Sequence, residues 1–430
     1  MIKSVPVAAL LLCSSVAIAA PQDDDPWSDW DMEAPEANPI TGFVEVASSQ
    51  RLQNDPAINS DTTLGDVRAQ IKWDKTLTQG AVSFTSDIYY DGVLNDTEFQ
   101  LRELYWQGNL GFLGEAGKRF DLKAGQQILT WGTGDYLFLN DLFAKDFQSF
   151  FSGRNDEYLK APSFSIKLSG FFDIANVDLV VTPRFAPDTY INGDYFSFFN
   201  PMLGTNIAPG FTVSGDNRPD VPEWAMRIYK SVDGVDLALY GYRGFHKSPN
   251  SFDEQGQPRF ARLNVTGASA IWTALDGLMK AEYAFYNSIE DPDGNNPFVP
   301  NDQSRFLVGY ERELIANLTG SAQWYLEHNH DYDALIAASP WPVYEPEENR
   351  HVITAQLSYR MLQDTLTLNW FTFYSPTDDD AYSRFRATYS PVDDWALSGG
   401  LNLFTGDKPF TFFGQFEDAS NVFASFRYYY

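Results

Sequence analysis

The chain has four histidines, His246, His328, His330 and His351, and one cysteine, Cys13, so the side chains that most often do nucleophilic or metal chemistry are scarce. His328-Asn329-His330-Asp331-Tyr332-Asp333 gathers imidazoles and carboxylates that suit transition metals, although polar runs of this kind are ordinarily solvated loops. Asp291-Pro292-Asp293-Gly294-Asn295 has the acids and glycine of a calcium loop without its full spacing. No Gly-x-Ser-x-Gly occurs, so the nucleophile elbow of a hydrolase is missing. These residues predict no enzyme and no cofactor, with loop-bound calcium as the one exception carried forward.

Charge arrayed for passage is a better fit. The stretch from Gly125 to Pro162 ends one alternating segment, breaks at Trp131-Gly132-Thr133-Gly134, and stays irregular until alternation resumes at Ser163. It carries Arg154, Asp156, Glu157 and Lys160 beside Phe138, Phe143, Phe147, Phe150 and Phe151. A connection this long is usually functional. Arg384 and Arg386, two apart in another alternating segment, share a face and predict a small basic ladder. Rings of charge set selectivity in pores. The expectation is an inward-folded loop 131–162 forming a constriction, with Arg154, Lys160, Arg384, Arg386 and Glu157 setting selectivity and Phe147, Phe150 and Phe151 as an apolar lining. The competing expectation is that wall charges pair with one another. Arg68, Arg227, Arg305 and Arg427 face the same side as Asp66, Asp178, Glu282 and Glu327.

The elements that must hold these residues are β-strands. Val67, Ala69, Ile71 and Trp73 alternate with Asp66, Arg68, Gln70 and Lys72, and Leu318–Glu327 and Leu366–Phe371 repeat the pattern. Strict alternation argues strands with one apolar face. About eighteen such strands run from Ile40 to Tyr430, among them 117–130, 177–186 and 258–273, with sixteen as the alternative count. Their connections alternate short and long: turns near 75–79, 112–116, 232–234 and 274–277, and loops at 51–61, 131–162, 187–221 and 329–349, with 91–96 and 375–379 short on the long side. Short turns at one end and longer loops at the other are the asymmetry of a transmembrane antiparallel β-barrel. Aromatic residues are 16% of the chain, as girdles at two membrane interfaces require.

The beginning of the chain predicts export. Lys3, the apolar run Val7–Leu12 and Ala17-Ile18-Ala19 read as a signal peptide over 1–19. Residues 20–38 follow as an acidic leader, and 39–430 as the barrel. With Cys13 inside the signal peptide, the mature chain has no disulfide or thiol-ligated metal. A net charge of −28 argues against nucleic acid.

Gly125-Gln126-Gln127-Ile128-Leu129-Thr130-Trp131-Gly132 resembles the Gly-[Arg/Gln]-Gln-x-x-x-Trp-Gly segment of alginate-export-type barrels and of related proteobacterial outer-membrane barrels, with Gly125, Gln127, Trp131 and Gly132 carrying the match. The last strand, with Val422, Ala424, Phe426, Tyr428 and Tyr430 on one face, resembles the carboxy-terminal signature read by the barrel-assembly machinery. Both resemblances imply a porin-like barrel in the outer membrane of a Gram-negative bacterium. It would touch lipid and lipopolysaccharide, pass small solutes passively and with partial selectivity, including solutes with an apolar or aromatic part, and allow a homotrimer. The alternative is a closed binding or scaffold barrel: a receptor, an adhesin, or a subunit of an export or electron-transfer conduit.

Overall fold

The computed structural model describes residues 40–213 and 215–430. The signal-peptide and leader readings for 1–38 fall outside the described residues.

Eighteen strands pair in one sheet. In chain order they are β1 (Ile40–Arg51), β2 (Thr62–Thr76), β3 (Ala81–Asp91), β4 (Asp96–Asn109), β5 (Phe120–Gln127), β6 (Ser163–Gly170), β7 (Asn176–Thr182), β8 (Glu223–Val232) and β9 (Val235–Phe245). They continue as β10 (Arg262–Ala274), β11 (Gly277–Ser288), β12 (Gln303–Ile315), β13 (Leu318–Asn329), β14 (Asn349–Met361), β15 (Leu366–Ser375), β16 (Asp380–Val392), β17 (Trp395–Gly406) and β18 (Asn421–Tyr429). Each strand pairs antiparallel with its neighbour in sequence. Then β18 pairs back on β1, with Phe43 opposite Tyr429 and Glu45 opposite Arg427. The sheet is a closed barrel, and closure leaves no strand edge unpaired.

The two-residue period sorts the side chains. On β2, Val67 and Ile71 are exposed while Asp66 and Arg68 are only 2% exposed. On β18, Val422, Phe426 and Tyr428 are exposed, and Phe423 and Arg427 are buried. The exposed set around the wall is apolar and the buried set is largely polar, which is the inverse of a soluble β-domain. A surface of this kind is stable only in lipid, where a closed barrel meets every backbone hydrogen bond internally. The tight turns are built for reversal. Asp233 and Gly234 both take positive φ, 50° and 80°, as a two-residue hairpin turn demands. Ile40 begins β1 at the end where the short turns lie, and Tyr430 closes there on Gly42.

Three segments differ from the alternation read in the sequence. The strand expected over 117–130 is confined to Phe120–Gln127. Residues 115–119 instead form a 3₁₀ turn, and the chain leaves the wall after Gln127. The strand expected over 177–186 stops at Thr182, and that expected from 258 begins at Arg262. In each case the alternation runs past the last partner strand: Leu129, Phe185, Phe260 and Ala261 are buried there, while Arg119, Thr130 and Arg184 are exposed.

Candidate functional site

The chain that leaves β5 turns into the barrel. Gly125 has φ of 133°, and a Cβ there would lie 2.2 Å from the Leu104 carbonyl oxygen of β4. The Gln127 side chain is fully buried and donates to the Ser165 carbonyl on β6 at 2.8 Å, bracing the wall where the loop departs. Trp131 then packs edge-on to Phe143, with ring centroids 5.0 Å apart, and faces Tyr240 of β9. Gly132, with φ of 80°, lays its backbone against Glu282 of β11, and a Cβ there would sit 3.1 Å from Oε1. The four residues of the family-like segment therefore start the inward loop 128–162.

Glu282 holds the first half of that loop. Its Oε2 accepts from the Thr133 backbone N–H and hydroxyl at 2.8 and 2.9 Å. Its Oε1 accepts from the Asn140 backbone N–H and side-chain amide at 2.8 and 2.9 Å. Nearby, Lys280 pairs with Asp135 at 2.7 Å, and Gln323 of β13 accepts from the Asp135 N–H at 2.9 Å.

The second half carries a short helix, α1 (Phe147–Ser152). Asp146 caps it by accepting from the Ser149 N–H at 2.8 Å, and Gly153 ends it in the left-handed region. Beyond the helix a charged clasp closes on the opposite wall. Arg154 donates to both oxygens of Asp66 on β2, at 2.7 and 3.1 Å. Asp66 also faces Arg68, which bonds Asp87 at 2.8 Å. Arg384 of β16 reaches Asp156 at 2.5 Å and the Arg154 carbonyl at 2.7 Å. Arg386 donates to the Gly153 and Arg154 carbonyls, each at 2.7 Å. Arg427 of β18 bridges Glu45 and Glu157, at 2.8 and 2.7 Å. Lys160 reaches back to the Thr130 hydroxyl at 2.5 Å, joining the two ends of the loop. Burial alone would raise the Asp156 carboxyl, but the Arg384 and Arg386 guanidiniums outweigh it and hold it below the usual carboxylate range.

The residues singled out in the sequence do meet, in a different arrangement from an open basic ladder. Arg154, Arg384, Arg386 and Glu157 bind the loop to the wall. Phe150 and Phe151, 5% and 4% exposed, pack on Tyr382, Phe404 and Phe416, and Phe147 is half-buried beside them. The wall charges pair: Arg227 with Asp178 at 2.6 Å and Arg305 with Glu327 at 3.3 Å. Sequence reasoning missed Glu45, Asp87, Arg102, Asn402 and Asn421, which hold loop or clasp atoms. Their inward register was readable from alternation, but the identity of their partners was not. Asp291 of the calcium-like run accepts from the Asn295 and Asn296 N–H groups, as in an ordinary turn.

Above the loop, on the side of the long connections, lies a vestibule of about 1170 Å³. The loop, including Phe147, Phe150 and Phe151, forms part of its lining. Connections 183–222 and 246–261 add Tyr190, Phe198, Phe211 and Phe252, and the wall adds Arg305, Tyr325, Glu327 and Arg350.

The chain matches no protein-family profile and no curated relative. Solved structures similar to it are outer-membrane porins. OccD3 (OpdP) of Pseudomonas aeruginosa aligns over 92% of this chain and 91% of its own, at TM-score 0.53 and 10% identity. OccAB4 of Acinetobacter baumannii aligns over 91% and 97%, at TM-score 0.55 and 9% identity. OccK5 (OpdH) of P. aeruginosa covers 91% and 97%, at TM-score 0.53 and 9% identity. The likeness is one of fold: a closed 18-strand antiparallel barrel of the outer-membrane porin type. Together with the apolar outer face, that fold places the chain in an outer membrane.

Proposed function

We propose that the protein is an outer-membrane channel for passive, partly selective diffusion of small solutes, with loop 128–162 as its constriction. The observation that carries this reading is the two-sided anchoring of the loop across the lumen, by Glu282 on one wall and by Asp66, Arg384 and Arg427 on the other. A loop merely covering the barrel has no need of buried anchors on both walls. In this reading Arg154, Arg384, Arg386 and Glu157 act on selectivity by fixing where the loop stands. The Gly125–Gly132 segment, read in the sequence as resembling alginate-export-type barrels, contributes the device that launches the loop. A polyanion as cargo is disfavoured, because inward bases are matched by acids. The C-terminal strand serves assembly, and a homotrimer is the proposed unit.

Burial of Phe150 and Phe151 favours a second reading, a closed binding or scaffold barrel. Single-channel recording of the purified protein in planar bilayers separates the two, with a variant lacking residues 138–151 alongside. Steady conductance that increases on deletion is expected. Silence in both forms would overturn the channel reading and leave the closed barrel.

A further inference from the structure

We propose that the outer vestibule is a binding site for an amphipathic small molecule with an aromatic or alicyclic body and an uncharged or zwitterionic head. This rests on, and deepens, the channel reading. Three observations carry it.

The first is composition and size. Fifteen of the residues that line the cavity are phenylalanine, and its volume of about 1170 Å³ is at the upper end of, or just above, cavities that enclose drug-sized ligands. The second is the rim. Met202, Phe252, Phe298 and Phe412 line the cavity and yet are 72%, 46%, 41% and 50% exposed. Apolar side chains kept in water around a concave mouth mark an interaction site. A water-filled entrance for small polar solutes has no use for them.

The third is charge. Arg305, Glu327 and Arg350 are register partners on β12, β13 and β14, so they form one row across the vestibule wall. Arg305 lies 3.3 Å from Glu327 and stacks on the Tyr286 ring, while Arg350 bonds Asp378 at 2.5 Å. With Asp378 counted, the two bases of the row meet two acids. Across the whole cavity four bases face five acids. The other two bases are taken as well: Lys145 by Asp141 at 3.0 Å and Lys247 by Glu223 at 2.6 Å. His246 also lines the cavity, and burial, followed by the Arg305 guanidinium, pushes its imidazole down to about 3, leaving it neutral at pH 7. An anion entering the vestibule finds no net positive field. A neutral or zwitterionic head can exchange hydrogen bonds with the alternating row while its body lies on the phenylalanine floor.

The test uses the full-length mature protein in lipid nanodiscs and four probes with one naphthyl body: 1-naphthylmethanol, 1-naphthylalanine, 1-naphthoate and 1-naphthylmethylamine. Calorimetric titration is expected to rank the alcohol and the amino acid at least tenfold tighter than the anion and the cation. Phe252→Ser combined with Phe298→Ser should weaken the best probe about tenfold. E327Q, which tips the row positive, should narrow the gap for naphthoate. Tightest binding of naphthoate to the unmodified protein would overturn the proposal, and so would full binding after loss of the rim. Conductance of the same preparation in bilayers separates the two readings. Conductance without probe binding sinks this inference alone, and binding without conductance sinks the channel reading alone.

Discussion

The two walls that hold the inward loop do so by different chemistry. On β11 one carboxylate, Glu282, accepts four hydrogen bonds from uncharged donors of Thr133 and Asn140. On the opposite wall Arg154, Asp156 and Glu157 meet Asp66, Arg384 and Arg427 in a network of full charges. The oxygens of Glu282 are satisfied locally by these four donors, as in an anion-binding turn. The clasp satisfies charge with charge, so losing one member strands another in a buried site. An inward loop can therefore be firm at one end and switchable at the other. The β11 anchor fixes where the loop enters the lumen, and the clasp fixes how far it crosses.

The comparison is broken most directly at Asp66. It is 2% exposed and serves both Arg68 and Arg154. Asp66→Ala leaves two guanidiniums short of a partner, at a cost of about 3–5 kcal/mol. The expected outcome is a lower melting temperature and noisy, larger single-channel currents, and quiet wild-type currents would contradict the clasp. Glu282→Gln comes next. It keeps the shape but sets an amide NH2 against one pair of donors, so one pair of hydrogen bonds is lost and the other loses its charge, at a cost of about 2–3 kcal/mol. Here the first half of the loop should loosen while the clasp holds. Hydrogen exchange should then rise at Thr133 and Asn140 and stay unchanged at Arg154.

Much of this fold was legible because a barrel wall obeys a period of two, and a single residue's slip would turn charge towards lipid. Asp66 and Arg68 on one face with Val67 and Ile71 on the other already determine which side is the lumen. The short-turn and long-loop parity needed only turn residues such as Asp233-Gly234. The site was legible as a location, since loop 131–162 was found from its length and its broken alternation, three residues short of its true start. Its chemistry was hidden. Arg384 and Arg386 read as a free ladder because nothing in their own strand reveals that loop carbonyls 230 residues away in sequence accept their hydrogen bonds. Likewise Phe150 and Phe151 read as an apolar lining; they border the vestibule, but spacing alone cannot say that Tyr382 and Phe404 pack against them from behind.

Gly153 tests the joint between helix and clasp. Its φ is 92°, and an added Cβ would fall 2.5 Å from the Phe423 ring of β18. Gly153→Ala combines left-handed strain of about 1 kcal/mol with displacement of that ring. The helix should shift while both anchors persist, giving a modest change in conductance without added noise. A variant indistinguishable from wild type would mean that the ring and helix have slack the packing does not indicate.

The smallest expected effect comes from acid, and it sharpens the contrast between a neutral-donor anchor and a charged clasp. Asp156 has its folded-state pKa held below the ordinary carboxylate value by Arg384 and Arg386, against the opposing effect of burial. A depressed acid contributes stability that is fully present above its unfolded pKa and is lost only as pH falls through the lower, folded value. Between pH 7 and about 4, the ordinary carboxylate range, the Asp156–Arg384 pair should therefore stay closed, and current amplitude should not change on its account. Below that window amplitude and noise should rise together, and Asp156→Asn should show the acid behaviour already at neutral pH. If amplitude instead rises between pH 7 and 5 in the wild type and not in Asp156→Asn, this carboxylate titrates high. The clasp would then open with mild acid rather than resist it.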